Sequence, residues 1–182
     1  MKTAAAILIA GVMAAHADPP AVNRDAAIVN EFETRIDTYL KLRQEIEAQM
    51  GHLKTTPSEE KIAHSERDLR HKLREARAGA REGDIFTPQI SMEFRRLIGL
   101  AMQPADATHI KQSLRRSEPV QLHLKVNEKY PESMPLQTTP PTLLENLPKL
   151  PPEIEYRITG RDLVLLDAKA NLIVDVLRGV FS

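Results

Sequence analysis

The chain has 182 residues, with 25 Lys+Arg against 25 Asp+Glu and no cysteine. The missing cysteines exclude disulfides, thiolate metal sites and a cysteine nucleophile. A formal net charge of zero speaks against a general nucleic-acid binder, which needs a basic surface for phosphates. Hydrophobic residues at 42% beside 27% charged residues fit a folded chain.

The N-terminus reads as an export signal. Lys2 gives a short positive region, residues 4–15 form an apolar run, and Ala15-His16-Ala17 matches a small-x-small cleavage pattern. As a helix that run reaches about 18 Å, short of the roughly 30 Å core of a bilayer. The expectation is a signal peptide over residues 1–17, a mature chain starting at Asp18 with no transmembrane segment, and a periplasmic or secreted location.

Residues 18–118 read as a helical region. Val29, Phe32, Ile36, Tyr39, Arg43, Ile46, Met50 and Leu53 recur at steps of 3 and 4, a heptad seam with one arginine in it. Thr56, Pro57 and Glu59 suggest the cap, first position and capping box of a second helix. Its seam is Ile62, Glu66, Leu69, Leu73, Ala76 and Ala80. Two matched seams joined by a short turn predict an antiparallel α-hairpin. Thr87-Pro88 opens a shorter helix with Ile90, Phe94, Leu97, Ile98 and Ala101 inward, and Asp106 caps a further one with Ile110 and Leu114 inward.

The second helix carries an arginine stripe, Arg67, Arg70, Arg74, Arg77 and Arg81, at steps of 3 and 4. Such a stripe can dock an anionic partner, whether a membrane or envelope surface, a polyanionic glycan or an acidic protein face. The favoured expectation is pairing within the hairpin, with Glu33 meeting Arg77 and Asp37 meeting Arg74, because the local charge is balanced. His64, Asp68 and His71 share a face, but the two histidines stand about 10.5 Å apart along the axis. Two nitrogens on one zinc ion stand at most about 4.2 Å apart, so no metal site is expected here. The chain has no H-E-x-x-H, P-loop, G-x-S-x-G or G-x-G-x-x-G pattern, and the reading assigns no cofactor and no catalytic residue.

Residues 119–182 read as a small antiparallel β region, which makes the fold class α+β. Val120, Leu122, Leu124 and Val126 alternate with polar residues as a half-buried strand, with His123 on its polar face. Seven of the thirteen prolines fall in the segment 131–152, where Leu143, Leu144, Leu147 and Leu150 suggest an ordered crossover with one helical turn from Pro141. A disordered linker and a polyproline ligand for a partner are the competing readings of that segment.

The last thirty residues read as a β-meander. Gly160-Arg161 makes a two-residue turn that pairs Thr159 with Asp162. Keeping the apolar faces together pairs Leu165 with Leu172 and Leu163 with Val174. That register sets Asp162 opposite Asp175, and like charges across a strand pair are destabilising. The expected resolution is an arginine clamp from Arg157 or Arg161; the competing ones are a bound cation or a catalytic pair with one acid protonated.

The strings Leu150-Pro-Pro-Glu-Ile-Glu-Tyr-Arg157, Gly160-Arg-Asp-Leu163, Asp167 and Ala170-Asn-Leu-Ile-Val-Asp175 resemble a C-terminal signature of an uncharacterised family of exported bacterial proteins. Tyr130-Pro-Glu132 and Pro140-Pro141 are similar too. The resemblance covers residues 120–177 and implies the same β module and an envelope location, without an activity. Three functions compete on this reading. The favoured one is a non-enzymatic exported protein that binds a protein or an envelope surface. The others are a small hydrolase or metal-dependent enzyme using Asp162 and Asp175, and a chaperone-like helical protein with an apolar cradle. A low aromatic content and a fully used seam argue against the cradle.

Overall fold

The computed structural model describes residues 23–51, 58–102, 124–131 and 141–181. Helices α1 (Arg24–Met50), α2 (Glu59–Ala76) and α3 (Pro88–Ala101) precede a single helical turn, α4 (Pro141–Leu144). Three strands follow, β1 (Ile154–Thr159), β2 (Asp162–Asp167) and β3 (Leu172–Leu177), in an antiparallel sheet of order β1-β2-β3. The class is α+β, as the change of hydrophobic period implies.

The expected seam of α1 is the buried one. Asn23 caps the helix through its side-chain oxygen, which accepts from the Asp25 amide. Phe32, Ile36, Tyr39, Arg43 and Ile46 are buried, and Val29 and Met50 are half-buried at the two ends. The turn expected after α1, with Leu53, Thr56 and Pro57, lies outside the described residues. The cap of α2 is a correction, because Ser58 holds that position and Glu59 is the first helical residue. Glu59 and Glu60 then stand in the first turn, where acids suit the positive end of the helix dipole.

The inward stripe of α2 also differs from expectation. Ser65, Leu69 and Leu73 are buried, whereas Ile62 is 45% exposed and Ala76 is exposed. The stripe advances in steps of four, from Ser65 through Leu69 and Leu73 to Arg77, which leaves Ile62 off the packed face. Leu69→Ala is therefore expected to cost about 2–5 kcal/mol, and Ile62→Ala about 0.5 kcal/mol or less. Equal shifts in a urea titration would show that the faces are wrongly assigned.

In α3, Thr87 caps through Oγ1, Pro88 takes the first turn, and Ile90, Phe94 and Ile98 turn inward. Phe94 sits within 4.9 Å of the Phe32 ring and 5.1 Å of the Phe86 ring, centroid to centroid. Glu93 is buried on the same helix and accepts Arg96 Nε at 2.8 Å. That hydrogen bond holds the Glu93 carboxyl below the usual range against the effect of burial. A depressed folded value means that Glu93 contributes stability above the unfolded carboxylate range, and that this is lost as pH falls through the folded value. Glu93→Gln is expected to flatten the loss of stability as pH falls below the ordinary glutamate range, read from denaturant midpoints. An unchanged acid limb would show that Glu93 is not linked to folding.

The sheet is buried on both faces. One face, with Ile154, Tyr156, Ile158, Leu163, Leu165, Leu172, Val174 and Leu177, joins the main core with the helices and with Leu143 and Leu147 around α4. The other, with Val164, Leu166, Ile173 and Val176, lies under Leu124, Val126 and Tyr130. Leu124–Val126 lie in no strand, and the rest of the strand expected over 120–126, with His123, lies outside the described residues. Residues 127–130 instead run along the outer edge of β3. Asn127 donates its amide to Ile173 O, Ile173 donates to Glu128 O, and Tyr130 donates to Asn171 O. The helix expected after Asp106, the 132–140 part of the crossover and the Pro140 half of the resemblance also fall outside the described residues.

The first turn pairs Thr159 with Asp162 as expected, but the second register is a correction. Asp167 pairs with Leu172, Leu166 with Ile173, Leu165 with Asp175 and Leu163 with Leu177. The register shifts between Leu165 and Leu166, so Val174 is the extra residue of a β-bulge. Before the bulge the apolar faces match as expected. After it they exchange, so Val176 leaves the helical side and Leu177 enters it.

Candidate functional site

The tighter β2–β3 turn and the bulge together separate the two acids of the expected pair. Asp162 stands at the start of β2, where Arg178 Nη1 donates to its Oδ2 at 2.8 Å and the Gly179 amide donates to its Oδ1 at 2.8 Å. Arg178 also donates to Glu82 and to Leu124 O. An arginine does hold Asp162, but it is Arg178, and the expected clamp on a facing pair does not form because Asp175 is held by backbone amides. Arg157 pairs instead with Glu155, at 2.7 Å from Nε, and Arg161 Nε donates to Phe181 O at 3.1 Å.

Asp175 turns toward the helical layer and is fully buried. Four backbone amides converge on its carboxylate: Gly83 at 3.0 Å and Val176 at 2.7 Å on Oδ1, Ile85 at 2.7 Å and Phe86 at 2.8 Å on Oδ2. Burial pushes this carboxyl above the usual aspartate range, against the pull of the four amides. Asp175 thus ties β3 to the segment that leads into α3.

A third acid, expected only as a loop residue, makes a second tie. Asp167 ends β2, is fully buried, and accepts Tyr39 Oη and Arg43 Nε on Oδ2, both at 2.8 Å. Its Oδ1 accepts the Ala170 amide at 2.9 Å, which shapes the β2–β3 turn. Arg43 Nη1 reaches on to Glu47 at 2.8 Å, and Lys169 meets Glu47 at 2.7 Å, so a chain of charges runs from the surface into the core. Burial, and then the Asp167 charge, push the Tyr39 hydroxyl far above its ordinary value, so it stays a proton donor. The signal for this tie was Arg43 itself. A lone arginine inside an apolar seam needs a buried counter-charge.

The arginine stripe divides. Arg70 Nη1 donates to Ala170 O and Arg77 Nη2 to Val174 O, each at 2.9 Å, which fixes α2 against the β2–β3 hairpin. Arg77 also lies over the Tyr39 ring, 5.1 Å from its centroid. The expected Glu33–Arg77 and Asp37–Arg74 pairs do not form. Asn127 Nδ2 donates to Arg74 O and Arg77 O and so closes the end of α2. The side chains of Arg67, Arg74 and Arg81 are exposed, and none has an ion pair or side-chain hydrogen bond among the described residues.

His64 and His71 pair with Asp68 at 2.8 Å and Glu75 at 3.4 Å, one turn apart on the exposed face of α2. Among the described residues no three His, Cys, Asp or Glu side chains could hold a metal ion together. An apolar groove of about 530 Å³ runs between α4 and β1, lined by Leu144, Pro148, Leu150, Ile154, Tyr156 and Arg157. Asp162 and Asp175 do not line it. Among the described residues no helix is long and apolar enough to cross a membrane.

Comparison of the chain with protein-family models found no match, and comparisons with curated proteins and with solved structures found none either.

Proposed function

We propose that this chain is an exported envelope protein that works by binding another protein or an envelope surface, without catalysis. The observation that carries the reading is the division of the arginine stripe. Two of its members brace the fold, and three are exposed without an ion pair among the described residues, Arg67 and Arg74 on α2 and Arg81 in the turn that follows it. The leader-like residues 1–17 and the resemblance of residues 120–177 to exported proteins support the location. The alternative reading, a hydrolase or metal-dependent enzyme built on Asp162 and Asp175, loses its premise, because each carboxylate has its own separate partners.

Two measurements test the proposal. Mass spectrometry of the exported species is expected to find Asp18 as the first residue; an intact Met1 on folded exported protein would refute the location. The mature protein is expected to sediment with envelope fragments at low salt and to be released at high salt. Sedimentation that ignores salt would contradict the role of the arginines.

A further inference from the structure

We propose that the groove between α4 and β1 binds a long-chain fatty acid, with the alkyl chain along its floor and the carboxylate at its rim. None of the stripe arginines lines the groove, so the site stands without them. Its volume of about 530 Å³ is in the range of small-molecule sites. One wall is four consecutive strand residues, Ile154 to Arg157, which span about 10 Å. The other wall comes from Leu144, Pro148, Lys149 and Leu150. A slot drawn out along a strand suits a chain better than a compact ring.

The floor offers apolar surface and no spare polar side chain. Leu144, Pro148, Leu150, Ile154 and the Tyr156 ring supply it, and the Tyr156 hydroxyl already donates to Pro148 O at 2.9 Å. A sugar or a nucleotide would lose its water there without replacement, whereas an alkyl chain gains by leaving water. Leu144 is 42% exposed, and a chain in the groove would cover it. The charges of the lining select the head group. Arg157 donates to Glu155 Oε1 from Nε at 2.7 Å and from Nη2 at 2.5 Å, so these two cancel. Lys149 is exposed and has no ion pair or side-chain hydrogen bond among the described residues. The lining therefore carries one uncompensated positive charge, which complements the single negative charge of a carboxylate.

Titration calorimetry on the mature chain, residues 18–182, tests this with octanoate, decanoate and dodecanoate below their micellar concentrations. Affinity is expected to rise about two- to fourfold for each added methylene, the upper figure being that of full burial. Dodecylamine, with the same chain and the opposite charge, is expected to bind about fivefold more weakly than dodecanoate. K149Q is expected to weaken dodecanoate about two- to fivefold and to keep the dependence on chain length. L144Q is expected to weaken it about fivefold or more. M92Q, at another exposed apolar side chain, is expected to stay within about twofold of wild type. Leu144 and Lys149 are both exposed, so their variants are expected to keep the wild-type melting temperature. Affinity that ignores chain length, or equal losses in L144Q and M92Q, would overturn the groove as the site. Dodecylamine binding as tightly as dodecanoate would overturn the carboxylate. Binding of lysophosphatidylglycerol without binding of dodecanoate would overturn the inference in favour of an envelope lipid, and binding of no probe would overturn it outright.

Discussion

Replacing Asp167 by alanine is expected to destabilise the protein by about 3–5 kcal/mol, because it leaves the buried Arg43 guanidinium with the half-buried Glu47 as its one remaining carboxylate. Arg43 is only 4% exposed, so water does not replace the lost carboxylate. Tyr39 Oη loses the same acceptor. The partner change, Arg43→Met, leaves Asp167 buried with only the Tyr39 hydroxyl and the Ala170 amide, and it is expected to cost a similar amount. The double variant Arg43→Met, Asp167→Leu removes both charges together. It is expected to cost less than the sum of the singles by about 0.5–3 kcal/mol, since the pair forms one unit. Urea titrations of the four proteins close the cycle. A cost below about 1 kcal/mol for Asp167→Ala would mean that the pair is in contact with water.

Asp175→Asn is expected to be the second severe change, at about 2–5 kcal/mol. The carboxylate accepts two amides on each oxygen. An amide group keeps one accepting oxygen and turns an N–H toward the other two donors, which leaves buried N–H groups unsatisfied. On the pairing expected from sequence the same change would have relieved a like-charge contact and been mild, so the substitution separates the two arrangements. The acid also carries a pH signature. Burial holds its folded pKa above the unfolded one, so its ionisation weakens the fold above the folded value, and that cost vanishes below the unfolded value. Carboxyl carbon NMR is expected to show Asp175 titrating above the ordinary aspartate range. A value below that range would mean that the four amides outweigh burial.

Much of this arrangement was legible before the fold was described. The steps of 3 and 4 along α1 pick out its buried side, Arg43 included, because helix packing buries whatever the period places inward. Thr87-Pro88 and Gly160-Arg161 mark their cap and turn by local chemistry that needs no tertiary information. The second strand pairing was hidden for a physical reason. Every residue of β3 is buried, so its alternation gives no sign of which residue the ladder skips. The hint was Asp175, a single acid inside Leu-Ile-Val-Asp-Val-Leu, a place where only a bulge or a cluster of donors can satisfy it. The Asp162 clamp was misassigned because the β2–β3 turn is two residues tighter than expected and the bulge adds one more, so that Arg178, just after Leu177, reaches Asp162 at the start of β2. The free part of the arginine stripe could not be read from spacing. Its five members repeat regularly, and only the position of the β2–β3 hairpin decides which of them turn inward.

The central claim is that the acids of β2 and β3 are braces, each joined to a different part of the helical layer, and not a reactive pair. Amide hydrogen exchange at neutral pH tests it most directly, at Gly83, Ile85 and Phe86. These residues precede α3, outside helix and strand, and only the Asp175 carboxylate accepts their amides. Protection close to that of the β2–β3 amides, lost at those three positions in Asp175→Asn, is the result expected of a brace. Exchange of all three at the rate of an exposed loop in the wild type, with Asp162 and Asp175 titrating as a coupled pair, would contradict it.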